Sequence, residues 1–146
     1  MTHITENYVA TGKVVYVFYQ LPLNSIHPQA QMTAEASECA GLQGKFWEMH
    51  DELFLNQSAW SGQSGALDVV KGYAGKLGLD QAAFDACLDG HEALARVQAD
   101  SGFAASLGIG GTPFFVINKD GALYAVNGAS PYESFQQGLD SLLENE

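Results

Sequence analysis

The side chains of this sequence that could do chemistry are two cysteines, four histidines, a run of carboxylates and one Thr-Pro step. Cys39 and Cys87 lie far apart and no C-x-x-C occurs, so there is neither a vicinal dithiol nor a zinc-finger spacing. Each cysteine reads either as a small buried hydrophobe or, in an oxidising compartment, as half of a bridge; the residues alone leave both open. His50 falls on a helical stretch beside Trp47, Leu53 and Phe54 and reads as half-buried. His27 precedes a proline in a loop. Neither has a second imidazole or thiol one helical turn away, so no metal is expected. Glu35, Glu38, Glu48, Asp51 and Glu52 could be taken for an acid–base set, but nothing fixes two of them at a separation, and a solvated helical face is expected. Gly110-Gly111-Thr112-Pro113 enters an apolar run, and on its residues alone reads as an ordinary proline at a strand start.

The elements that must position these groups follow from periodicity. Residues Thr2–Ala10 read as the last turns of a helix stopped by Gly12, with Ile4, Tyr8 and Val9 on one side. Val14-Val15-Tyr16-Val17-Phe18-Tyr19 is β-branched and aromatic with no polar alternation, which predicts an interior strand covered on both faces. Pro22 and Pro28 close it. From Gln29 to about Gly110 the text is helical, with a division at Gly44, a Ser/Gly loop around Trp60, a helix over Ala66–Leu77, an Asp80 N-cap and a helix over about His91–Leu107. The period then changes to a hairpin, Pro113–Asn118 and Ala122–Val126, turning at Asn118-Lys119-Asp120-Gly121. Ser130-Pro131-Tyr132-Glu133 opens a last helix.

Composition bounds the functions these elements can serve. The chain has 146 residues, 47% hydrophobic and 16% charged, which is enough for one packed core. Its formal net charge of −11 repels a phosphate backbone, so no nucleic-acid partner is expected. No apolar run has the length to span a bilayer, and the first residues have neither a basic nor an apolar signal region, so membrane insertion and a signal peptide within this chain are not expected.

Several local motifs, in this order, carry a resemblance. They are Thr11-Gly12-Lys13-Val14 running into the strand, Pro22-Leu23, Ser25-Ile26-His27-Pro28, Ala34-Glu35-Ala36 with Glu38-Cys39-Ala40, and Gln43-Gly44-Lys45-Phe46-Trp47-Glu48-Met49-His50-Asp51. Phe84 with Cys87-Leu88 follows, then Leu107–Phe115 including Gly111-Thr112-Pro113-Phe114, and Gly128-Ala129 before Pro131-Tyr132-Glu133. The chain resembles the DsbA-like branch of thioredoxin-fold thiol–disulfide oxidoreductases over nearly its whole length. The resemblance implies an α/β fold: a thioredoxin-like core from residues 1–28 and 111–146, with a helical domain, 29–110, inserted in it. It implies a cis peptide at Thr112-Pro113, a substrate-binding role for these two residues, a structural disulfide between Cys39 and Cys87, and no cofactor. Trp60 and Tyr132 are candidates for a groove near the site, or for packing and anchoring.

One departure decides the functional expectation. The family's first strand and the C-x-x-C that opens the following helix would lie upstream of Thr2, so no catalytic residue is expected within this chain. That strand sits centrally in the fold. Its absence predicts either a fragment of a longer protein, a gap filled by a partner or swapped segment, or strands that close up directly. The expectation is an oxidoreductase parent acting on extended or unfolded polypeptides, with a redox partner protein and an extracytoplasmic home. This chain alone is expected to be redox-inactive and to dimerise to cover its open edge. A peptide-binding or structural protein of the same fold without turnover is the alternative.

Overall fold

The computed structural model describes residues 2–144. It divides into two compact units, Met1–Phe18 with Ile109–Glu146, and Tyr19–Gly108. The second takes in Tyr19 and Gln20, well ahead of the expected insert boundary at Gln29. Gln20 is tied into this unit: its backbone N–H donates to Asp100 Oδ2 at 3.1 Å, and its side-chain amide donates to Ser37 and Glu38.

The helical unit is built from α2 (Ala30–Gly41), α3 (Phe46–Leu55), the single turn α4 (Gln57–Trp60), α5 (Ala66–Lys76), α6 (Gln81–Asp89) and α7 (Leu94–Ser106). Gly44 separates α2 from α3 at φ +74°, a left-handed conformation that glycine adopts without a side-chain clash. Asp80 caps α6 by accepting from the Ala83 N–H at 3.0 Å. Ala36, Cys39, Ala40, Met49, Leu53, Val70, Ala74, Phe84 and Leu88 form the buried core of this unit. Small residues on α2 let α6 approach closely, and the Cys39–Cys87 disulfide joins these two helices. Trp60 is not in an open loop: it is buried in that core, and its indole N–H donates to Leu53 O at 2.9 Å. The Ser/Gly text around it hides an aromatic whose polar end finds a carbonyl.

The sheet unit begins with α1 (Thr2–Ile4), which widens into a π-helical turn over Thr5–Val9. Lys13 and Val14 N–H both donate to Tyr8 O, ending it. The hairpin follows, β1 (Phe114–Lys119) antiparallel to β2 (Ala122–Asn127), with Phe114 opposite Asn127 and Lys119 opposite Ala122. Asp120 and Gly121 have φ +51° and +89°, the two left-handed residues of a tight hairpin turn. Last comes α8 (Tyr132–Glu144). Phe135 on α8 packs edge-on against Phe115 of β1, centroids 4.8 Å apart. Tyr8 is buried and donates to Asp140 Oδ1 of α8 at 2.7 Å.

The expected strand Val14–Tyr19 does not form. Residues 14–23 carry no strand, and the sheet has two strands, β1 and β2. The run keeps the alternation of a strand: Val14, Tyr16 and Phe18 are half-buried, while Val15 and Val17 are 86% and 59% exposed. A ladder needs a second backbone alongside, and none among the described residues lies in that role. Nor do the strands close up directly, because β1 pairs with β2 alone. Among the described residues no helix is long and apolar enough to cross a membrane.

Candidate functional site

Thr112 and Pro113 stand where the chain enters β1, and both are exposed. The peptide bond between them is cis. Pro113 O accepts from the Gly128 N–H at 3.0 Å, which anchors the start of β1 against the end of β2. From Phe114 onward β1 has one edge in the hairpin ladder and its other edge outside any ladder. An unsatisfied strand edge presents alternating N–H and C=O groups, the template for an added extended segment. The apolar face that includes Val116, 45% exposed, is left open as well.

At the other end of the same unit, α1 and its π turn are held to α8. Tyr8 is the anchor, and burial together with its bond to Asp140 pushes its phenol up to about 12. Tyr132 accepts from Asn7 Nδ2 at 2.8 Å and its ring lies 5.2 Å from that of His3. Tyr132 therefore ties the first helix to the last.

The cysteines both lie in the helical unit. Cys39 and Cys87 are bonded to each other and are 1% and 4% exposed. A thiolate nucleophile needs solvent access and a nearby positive field. These two have neither a free thiol nor exposure, and the sequence holds no third cysteine. The bridge closes a long loop and contributes about 4 kcal/mol in the chain-entropy account.

His50 is half-buried, with Nδ1 3.0 Å from Asp51 Oδ1 and its ring 4.7 Å from that of Phe54. Among the described residues no three His, Cys, Asp or Glu side chains gather as a metal site. Glu48 and Glu52 are paired with Lys45 and Lys76 at 2.7 Å, and Asp51 is exposed. Glu35 overturns the expectation of one solvated acidic face. Its side chain is 1% exposed, held by Gln31 and by His91. Nothing local in the sequence marks it, because His91 comes from beyond α6.

The family model for thioredoxin matches residues 1–141. The chain belongs to the thioredoxin family. Relatives are sodium–proton antiporters by name: NhaA 1 of Salinispora arenicola is 42% identical over 103 residues, which is 70% of this chain and 15% of the antiporter. NhaA 3 of Salinispora tropica is 38% identical over 115 residues, covering 79% of this chain and 17% of its own length. NhaA of Herminiimonas arsenicoxydans is 37% identical over 102 residues, 70% of this chain and 15% of that protein. The chain thus spans about a sixth of the relatives it matches. No solved structure matches it.

Proposed function

We propose that residues 1–146 form the substrate-docking and helical part of a DsbA-like thiol–disulfide oxidoreductase whose C-x-x-C precedes Thr2. The observation that carries this reading is the open ladder. In a chain of the thioredoxin family, β1 enters the ladder by one edge and the apolar run 14–18 forms no strand. A strand entering from upstream would complete both, and the residues after it would bring a C-x-x-C to the N-terminal end of α1. There the helix dipole favours the thiolate. That thiolate attacks a substrate sulfur, breaking the substrate's S–S bond and forming a mixed disulfide. The second cysteine then displaces the substrate thiolate. Thr112, Pro113 and the edge of β1 would hold an extended or unfolded polypeptide against the reacting sulfurs, with a redox partner protein restoring the starting state. The buried Cys39–Cys87 bridge supports an extracytoplasmic home for this domain.

The relatives carry a transport name, but the chain corresponds to about a sixth of each, and the thioredoxin model accounts for that part. We read the name as belonging to the remaining length, and take no transport activity from it.

A second reading is favoured by the state of the cysteines. With both bonded and buried, the chain by itself would bind extended peptides without turnover. Insulin reduction and peptide binding, measured side by side on the protein from its native source and on residues 1–146, separate the two. The first reading predicts binding by both and turnover by the native protein alone. Binding by both with turnover by neither overturns it and leaves the second.

A further inference from the structure

We propose that the helical unit holds a pocket for a primary ammonium on a short apolar stem, the chemistry of a lysine side chain or a free alkylamine. The pocket has a volume of about 240 Å³ and is lined by Met32, Glu35, Leu67, Leu88, Asp89 and His91. That is small for a drug-sized ligand and suits a few carbons with one polar head.

The charge distribution around it selects the head group. Asp89 already has its cation, with Lys71 Nζ at 2.7 Å. Among the described residues Glu35 has the His91 imidazole beside it and no lysine or arginine. Its Oε1 accepts from Gln31 Nε2 at 3.0 Å and its Oε2 stands 3.0 Å from His91 Nδ1. A carboxylate offers about four acceptor positions, so these two contacts leave room for more. A buried carboxylate facing a cavity gains most from a cation with several donors, and an ammonium brings three. The apolar side chains of Met32, Leu67 and Leu88 would pack along the methylenes behind it. The chain's net charge of −11 draws cations toward it from solution.

The backbone at the rim is specialised in the same place. His91 lies in the left-handed region, at φ +53°, just past the end of α6. Glu92 N–H donates to Cys87 O and His91 N–H to Leu88 O, which is the helix-ending motif that usually places glycine at this position. A histidine held in this conformation reaches across to Glu35 while its own side chain stays 66% exposed. It covers Glu35, and on this proposal the imidazole turns aside to admit the ammonium to the carboxylate. The Cys39–Cys87 bridge joins the same two helices beside it, Glu35 lying one turn before Cys39 on α2 and His91 four residues past Cys87, so the pocket wall is pinned.

The pocket stands apart from the redox reading, and its test does not involve turnover. The full chain is titrated with n-butylammonium chloride and, separately, with n-butanol, following backbone amides by ¹⁵N NMR. Saturable shifts at Leu67, Leu88 and His91 with the ammonium, and binding about tenfold weaker with the alcohol, are expected. Glu35→Gln, which keeps shape and removes charge, is expected to weaken the ammonium by a similar factor. Leu67→Trp alters an exposed helical position and fills the cavity, so it should abolish binding even if the Glu35 variant fails to fold. Equal binding of ammonium and alcohol, or ammonium binding unchanged in Leu67→Trp, overturns the proposal. Short peptides carrying one lysine or one norleucine identify the source. Lysine-dependent binding assigns the pocket to polypeptides, and entry of the free amine without the peptide assigns it to a small amine.

Discussion

The two units of this chain meet the same physical demands in opposite ways. The helical unit satisfies its backbone within its own helices and buries a continuous apolar cluster from Ala36 to Leu88, fastened by a disulfide. The sheet unit has β-branched and aromatic runs of comparable quality, yet Val15, Val17, Val116 and Leu123 remain exposed. A helix closes its hydrogen bonds locally, whereas a strand is finished by a neighbour distant in sequence. A strand without its neighbour therefore leaves a sheet open on an edge and a face, whereas a helix is untouched by such a gap. The contrast explains why the same apolar vocabulary gives a core in one unit and an uncovered surface in the other.

Substitutions in equivalent apolar positions should break that symmetry most clearly. Phe84→Ala, at a fully buried site of the helical unit, is expected to cost about 3–5 kcal/mol. Val116→Ala, at a half-exposed site of β1, is expected to change stability by no more than about 0.5 kcal/mol. Urea unfolding of both variants, followed by far-UV circular dichroism, compares them. Equal costs would mean that the face of β1 is covered after all.

Removing the bridge tests the fastening of the helical unit. Cys39→Ala with Cys87→Ala should lower its stability by about 4 kcal/mol, while the contact between Phe115 and Phe135 in the sheet unit is retained. Aromatic proton NMR of Phe115 and Phe135, beside helical melting by circular dichroism, reads the two separately. Simultaneous loss of both sets of signals would show the units to be one cooperative body.

The finest contrast lies within the sheet unit, at Tyr8. Its phenol is pushed up to about 12 by burial and by the bond to Asp140, so the neutral form is favoured on folding. A group raised in this way gives its full stabilisation below the ordinary tyrosine value of about 10 and loses it as the pH rises through about 12. Ultraviolet absorbance of tyrosinate should show the latest-titrating residue lost in Tyr8→Phe, beside Tyr16 and Tyr73, which burial also pushes up. The fold of the sheet unit should weaken less over that alkaline range in the variant than in the parent protein, the loss that remains coming from Tyr16.

The elements were legible wherever one local rule decides. Asp80 as a cap, Gly44 as a divider and Asp120-Gly121 as a hairpin turn are each fixed by neighbours a few residues away. Residues 14–19 show where such rules stop: their pattern announces an interior strand, but the backbone that would complete it is not a property of the pattern. Trp60 was hidden by the polar loop text around it, although its indole required a partner and found Leu53 O. Glu35 shares α2 with Glu38 and nothing local sets it apart, because its partner His91 comes from 56 residues away. The candidate docking site at Thr112 and Pro113 was reached through the resemblance; on their own residues a Thr-Pro step before a strand is ordinary.

The central claim is that an upstream strand bearing the redox cysteines completes this fold. Intact mass with N-terminal sequencing of the protein from its native source tests it most directly. The account predicts a species heavier than the 146-residue chain, with a C-x-x-C ahead of Thr2. A native species that begins at Met1 would contradict it.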